Sequence, residues 1–274
     1  MKVILLMEFA RIIYHLLKSD RDVTLGVGGF TGEGKSTFLT KLMKDYATIS
    51  QTYWGFDRMT WSRNELMTWI DGEKDTRKGQ LPEYSCILID ELFSLFYRRK
   101  WYEEGQIDSI ATFNMCRDRH LLIGGNIPDF WDLDGGFTSR VRFYIYIPFR
   151  GVAWVFEQEN NPFSSDKWNA TENRKIFRKN KNPFKCPNFL MQINFDDWET
   201  EEKIEYYQIR NEKRLKAIDQ NKPERIERYK DIKEQRNKLI RWIHDIDKTI
   251  LGKEVGQVIG MDGSMINKII KGIV

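Results

Sequence analysis

The spacing of hydrophobic positions changes several times along the chain, and each change predicts an element. Leu5, Phe9, Ile12, Ile13 and Leu16 recur at helical intervals, with Glu8, Arg11 and His15 between them. Residues 1–22 are therefore expected to form an amphipathic helix docked on the core or on a second subunit. The run is too short and too interrupted to span a bilayer, which leaves attachment to a membrane surface as the alternative. Val23, Thr24, Leu25 and Val27 form an apolar, β-branched run expected of a buried strand, and helical spacing follows from Lys35 to Tyr46. Ser62-Arg-Asn-Glu65 is a capping box that opens a short helix through Ile70, followed by a polar loop over 72–80. Ser85 to Ile89 and His120 to Gly124 read as two further buried strands, with a helix from Gln106 to Asp118 between them.

Phe143 to Ile147 and Val152 to Phe156 predict a hairpin closed by Pro148-Phe-Arg-Gly151, and Asn188 to Phe195 predicts one more strand. Charged helices are expected over Glu199–Asp219 and Glu224–Leu251, separated at Pro223, where a fixed φ and a missing N–H favour a helix start. Alternating strands and helices over 23–160 imply a three-layer α/β core with a mostly parallel sheet. A basic loop and extra strand occupy 161–198, a helical linker or oligomerisation arm 199–250, and a helix-turn-helix 251–274. In that last unit Val255 and Ile259 face inward, small Gly256 permits close helix contact and Gly260 makes the turn. Ile266 and Ile269 anchor the second helix. The alternative is a small helical hairpin for protein contacts.

Candidate chemistry enters where the first strand breaks. Gly29-Phe-Thr-Gly32-Glu33-Gly34-Lys35-Ser36-Thr37 contains the phosphate-binding pattern Gly-x-x-x-x-Gly-Lys-Ser/Thr between a strand and a helix. Glycines let backbone N–H groups turn inward around phosphates, and the helix N-terminus adds its positive dipole end. Lys35 then neutralises β/γ-phosphates and the Ser36 hydroxyl ligates Mg²⁺. A buried run ending in Asp90-Glu91 delivers two carboxylates to such a site, Asp90 for the Mg²⁺ shell and Glu91 to activate water. Asn126, at the end of a neighbouring strand, either touches the γ-phosphate or the attacking water, or simply forms the turn before Pro128. Arg117 with Arg119, and Arg140 with Arg142, are basic pairs: any of the four is an arginine finger for a neighbouring subunit or a surface charge in a salt bridge.

Composition narrows the setting. With 274 residues, 31% charged and 14% aromatic, the chain is a folded protein with room for one large core and a small second module. Its net charge of +4 permits nucleic-acid contact without demanding it. Cys86, Cys116 and Cys186 are isolated from one another, without metal-ligand spacing, as expected of reduced thiols in a cytoplasmic protein. From Asn160 to Pro187 basic residues outnumber acidic ones: Arg174, Lys175, Arg178 and Lys179, with Trp168, Phe177 and Phe184 interleaved, make either a DNA-facing loop or a solvated connection. On the second terminal helix Ser264, Asn267, Lys268 and Lys271 are expected on the exposed face, toward double-stranded DNA.

The order of these signals resembles the P-loop ATPases that many viruses and phages use to handle their genomes. It is similar to the FtsK–HerA-like packaging ATPases and to the ATPase part of the zonular occludens toxin family. The likeness rests on Gly29 to Ser36, Ile87 to Glu91, Arg117 to His120, Asn126 to Phe130 and Ser139 to Arg142. It implies an additional-strand, RecA-like P-loop NTPase using ATP and Mg²⁺. It further implies a homo-oligomeric ring with sites between subunits, DNA through the centre, and a viral portal or capsid vertex as a partner. Two features depart from the pattern: there is no room after residue 160 for the nuclease of a terminase, and no membrane span of a filamentous-phage assembly protein. A DNA-binding ATPase switch in replication or partition, and a non-DNA assembly ATPase, are the rival expectations.

Overall fold

In the computed structural model the described residues are 2–73, 76–96, 116–133, 135–159, 165–220, 224–246, 248 and 252–271. The chain divides into two compact units, Met1–Gln220 and Asn221–Val274.

The first unit is built on an eight-stranded sheet. Its strands are β1 (Val3–Leu5), β2 (Val23–Gly29), β3 (Met59–Thr60), β4 (Cys86–Ile89), β5 (Leu122–Asn126), β6 (Val141–Phe149), β7 (Val152–Glu157) and β8 (Phe189–Asn194), in the order β1-β8-β7-β6-β2-β5-β4-β3. Among these strands only β7 runs against the others, because it returns through the tight β6–β7 hairpin. The mostly parallel sheet agrees with the expectation from alternating strands and helices. β5 stands between β2 and β4, so the strand that opens the glycine loop and the strand that ends in Asp90 are not neighbours.

Two separate apolar clusters cover the two faces. In β4, Cys86 and Leu88 join the cluster of helices α1 (Leu6–Lys18) and α2 (Lys35–Ser50), while Ile87 and Ile89 join that of α3 (Arg63–Asp71) and α4 (Leu92–Phe96). That alternation is the pleat period of a strand buried on both sides, and it explains why β4 reads as an unbroken apolar run. On β5 the sequence supplies glycines where both faces are crowded. A Cβ on Gly124 would stand 2.6 Å from Met43 and 2.9 Å from Leu39 of α2, and one on Gly125 would collide with Leu92 of α4.

Several expectations shift. The N-terminal helix α1 docks on the core, with Phe9, Ala10 and Ile13 fully buried, and is preceded by a strand not expected there, β1, paired with β8. The short helix α3 forms as expected, its Ser62 cap accepting from the Glu65 N–H at 3.4 Å. The helix expected over 106–118 lies largely outside the described residues, and 116–119 form a single 3-10 turn. A four-residue turn of helix, α5 (Gly135–Thr138), precedes β6. The stretch expected as a basic loop is instead helix α6 (Ala170–Asn180). Its start is fixed by Asp166, whose carboxylate accepts from Trp168 N at 3.2 Å and Ala170 N at 3.0 Å. The first charged helix, α7 (Thr200–Gln220), packs on the sheet unit and is not a free arm: Tyr206 is 2% exposed and joins the core.

The second unit contains α8 (Glu224–Ile246), α9 (Gly252–Ile259) and α10 (Gly263–Ile270). Ile240 of α8 packs with Ile266 and Ile269 of α10, and Arg241 Nε donates to the Ile269 carbonyl at 2.9 Å. The pair α9–α10 turns at Gly260 with φ +67°, and the Asp262 side chain caps α10 on Ser264 N at 2.8 Å. Close approach occurs at Gly252, where a Cβ would run into the Asn267 side chain.

Candidate functional site

Strand direction decides which polar residues meet. β2, β4 and β5 are parallel, so their C-terminal ends open on one edge of the sheet, where ligands of open α/β folds bind. β2 ends in the glycine loop. Gly29 has φ +141°, and a Cβ there would stand 2.6 Å from the Ile147 carbonyl oxygen, so a larger residue would push the loop off β6. Gly34 caps α2 with φ +94°, a left-handed conformation that aims the first free N–H groups of the helix at the loop. Gly32, at the tip, also has positive φ, and Glu33 accepts from Arg150 N at 3.2 Å, tying the tip to the β6–β7 turn. Thr37 follows, buried in the first turn of α2.

Lys35 Nζ donates to the loop's own carbonyls, Gly29 O at 2.8 Å and Phe30 O at 2.9 Å. Partial burial lowers its pKa, opposed by the carboxylates of Glu91, Asp90 and Glu33. Ser36, next to it, donates from Oγ to Asp90 Oδ1 at 2.9 Å across 54 residues of chain. Register completes the group. Ile89 pairs with Gly125, which sets Asp90 level with Asn126, and Asn126 Nδ2 donates to Asp90 Oδ1 at 2.6 Å and Ser36 Oγ at 2.9 Å. The Asp90 side chain is 2% exposed. Burial pushes its pKa up, while Ser36, Arg210, Tyr206 and Asn126 hold it down. Glu91 follows, half-buried; burial and the charge of Asp90 raise its pKa against Lys35, Arg210 and Arg214.

The remaining contacts come from α7, which the sequence reading did not connect to this site. Tyr206 OH lies 2.9 Å from Ser36 Oγ and 2.9 Å from Asp90 Oδ2, and Arg210 Nε lies 3.4 Å from Asp90 Oδ2. The signal available was weak: Glu202, Tyr206, Arg210 and Lys213 recur at helical spacing, but as polar residues in a polar helix.

The four candidate arginines are placed elsewhere. Arg117 and Arg119 precede β5 and Arg140 and Arg142 begin β6, so all stand at the opposite, N-terminal end of the sheet from the glycine loop. Arg119 donates to the Leu81 carbonyl, Arg140 pairs with Asp22 at 3.3 Å, and Arg142 pairs with Glu157 at 2.7 Å. Arg174, Lys175, Arg178 and Lys179 are exposed on α6, as are Ser264, Asn267, Lys268 and Lys271 in the second unit. Trp168 is corrected from a stacking residue to a core one: it is buried, edge-on to Phe130 at 5.1 Å.

No group of three or more His, Cys, Asp or Glu side chains among the described residues is arranged to hold a metal ion unaided. Mg²⁺ suits what is present, since it is bound through one or two protein oxygens with phosphates and waters supplying the rest. Ser36 and Asp90 fit that role. Asn126 Oδ1, buried beside them without a hydrogen-bond partner, is an acceptor for a hydrating water.

Fold and site together place a glycine loop, a lysine and a Ser–Asp–Asn group at the C-terminal edge of a mostly parallel α/β sheet. No family model and no curated protein matches the chain. Among solved structures, the N-terminal domain of zonular occludens toxin from Neisseria meningitidis is similar at 10% identity and TM-score 0.39, over 67% of this chain and 97% of that one. A HORMA:CdnC:Trip13 complex of E. coli MS115-1 is similar at 13% identity and TM-score 0.33, over 53% and 62%. The FIGL-1 AAA domain is similar at 20% identity and TM-score 0.34, over 53% and 49%. Likenesses of this size assign neither family nor activity. No helix among the described residues is long and apolar enough to cross a membrane.

Proposed function

We propose that the first unit is a Mg²⁺-dependent ATPase. The observation that carries this is the closed group Ser36–Asp90–Asn126, with distances of 2.6–2.9 Å, set beside Lys35 at the strand edge where a glycine loop opens a helix. The loop N–H groups and Lys35 bind the phosphates, and Ser36 and Asp90 hold the metal. Bound there, Mg²⁺ would supply positive charge against the negative charge of the phosphates. Glu91 takes a proton from a water whose oxygen attacks the γ-phosphorus. The bond from that phosphorus to the β–γ bridging oxygen breaks, its electron pair leaves with ADP, and inorganic phosphate is released. Glu91→Gln is expected to keep ATP binding and lose phosphate release; release at the native rate would reject Glu91 as the water-activating residue.

The finer reading is that hydrolysis drives DNA handling, with genome packaging by an oligomeric ring as its most specific form. It is supported by the exposed Arg174, Lys175, Arg178 and Lys179 on α6 and by the two-helix unit α9–α10. In a ring, Arg117, Arg119, Arg140 or Arg142 would serve a neighbour's site, since strand direction keeps them from their own. Stimulation of turnover by long double-stranded DNA, lost at higher salt, is the expected result. Turnover indifferent to DNA at low salt would favour the assembly-ATPase reading.

A further inference from the structure

The helix α7 carries groups into the site that the ATPase reading does not use. It is anchored along one face on its own chain. Just before it, Trp198 Nε1 donates to Thr40 Oγ1 at 2.7 Å, and in its first turn Glu202 pairs with Lys44 of α2 at 2.5 Å. Three turns on, Lys213 Nζ donates to the carbonyls of Asp57 at 2.6 Å and Met59 at 2.8 Å and to Glu65 at 2.9 Å. Between these anchors stand Tyr206 and Arg210, one turn apart, both facing the Ser36–Asp90 group. The Tyr206 ring is wedged against Trp198 at 4.5 Å and Phe56 at 6.0 Å, which fixes where its hydroxyl points.

We propose that α7 completes the nucleotide site in cis, with Tyr206 as a positioning residue that holds Ser36 and Asp90, and Arg210 as the same-chain cation beside Asp90 and Glu91. The inference rests on the ATPase reading. Its chemistry follows from charge and geometry. Two carboxylates and a triphosphate would face one another across the site, and a guanidinium next to Asp90 adds to the positive charge that Lys35 and Mg²⁺ set against them. A phenol oxygen 2.9 Å from both Ser36 Oγ and Asp90 Oδ2 fixes the separation of the two groups that would share the metal, as outer-shell partners do at metal sites. The four arginines expected from sequence lie at the far end of the sheet and need a second subunit; Arg210 does not.

The test uses the full chain with ATP and Mg²⁺. Tyr206→Phe keeps the packed ring and removes only the hydroxyl. It is expected to raise the Mg²⁺ concentration for half-maximal turnover about tenfold, with protein stability near that of the wild type. Arg210→Ala is expected to lower kcat at least ~10-fold, a small part of the ~10³–10⁵ that a positioned arginine can supply, while ATP binding persists. Mixing Arg210→Ala protein with Lys35→Ala protein separates cis from trans action. If Arg210 serves its own chain, the mixture turns over no faster than the mean of its two components; turnover above that mean shows it acting on a neighbour and overturns the proposal. Tighter ATP binding or faster turnover in either single variant would show α7 blocking the site, and also overturns it. Wild-type turnover that both variants leave unchanged overturns this proposal alone, whereas no turnover in the wild type overturns the ATPase reading and this one with it.

Discussion

The two ends of the central sheet carry similar inventories of polar residues and treat them in opposite ways. At the C-terminal end, Lys35, Ser36, Asp90 and Asn126 come from three strand ends, and Tyr206 reaches them from a helix 170 residues beyond Ser36. Ser36, Asp90, Asn126 and Tyr206 each bond to at least two of the others around the buried Asp90, and Lys35 stands beside them on the loop's own carbonyls. At the N-terminal end, Arg140 pairs with Asp22, Arg142 with Glu157, and Arg119 donates to the Leu81 carbonyl, contacts that do not link the arginines to one another. Residue type does not separate the two ends. Strand direction and register do, because parallel strands deliver their last residues together.

The contrast is sharpest in a pair of substitutions. Asp90→Ala is expected to lower ATP turnover by at least ~10²-fold, the scale of losing one preorganised electrostatic group. Arg140→Ala should cost about 0.2–1 kcal/mol of stability, as for a partly exposed ion pair, and leave the turnover of isolated chains unchanged. Phosphate release and urea midpoints measured on both variants check this; equal losses of turnover would erase the distinction between the ends.

A second change strains the site end without removing a functional group. Gly125→Ala puts a methyl into Leu92, and is expected to cost ~1–3 kcal/mol as overpacking between β5 and α4. Because α4 begins directly after Glu91, turnover should fall further than the loss of folded protein accounts for.

The smallest effect belongs to the other end. Cys86, at the start of β4, is fully buried, and burial pushes its thiol from 9.0 up to about 12. Its folded pKa exceeds its unfolded one, so its contribution to stability is complete below pH 9.0 and is lost as pH rises toward about 12, when only the unfolded chain ionises. Denaturation midpoints that decline across this window in the wild type, and less in Cys86→Ala, are the expected result. Rapid alkylation of Cys86 in the native protein at pH 8 would contradict its burial.

Much of this was legible in the chain. The glycine loop between strand and helix, the Asp90-Glu91 strand end, the Ser62 cap and the β6–β7 hairpin each depend on residues close in sequence, whose local chemistry permits few alternatives. What was not legible depends on residues far apart. α7 presents an inward face of Tyr, Arg and Lys that bonds to carboxylates and carbonyls, so it lacks the apolar stripe by which a docked helix is recognised. Trp168 sat in a basic stretch and read as exposed, yet its ring fills a gap beside Phe130 and Tyr144. The arginine pairs could not be assigned to an end of the sheet before strand order was known.

The most direct measurement is steady-state phosphate release from ATP by the full chain, with Mg²⁺ and with excess chelator, alongside Lys35→Ala. The account predicts release that requires Mg²⁺ and disappears in the variant, with both proteins equally folded. Release that is absent in the wild type, or that persists in Lys35→Ala, would contradict it.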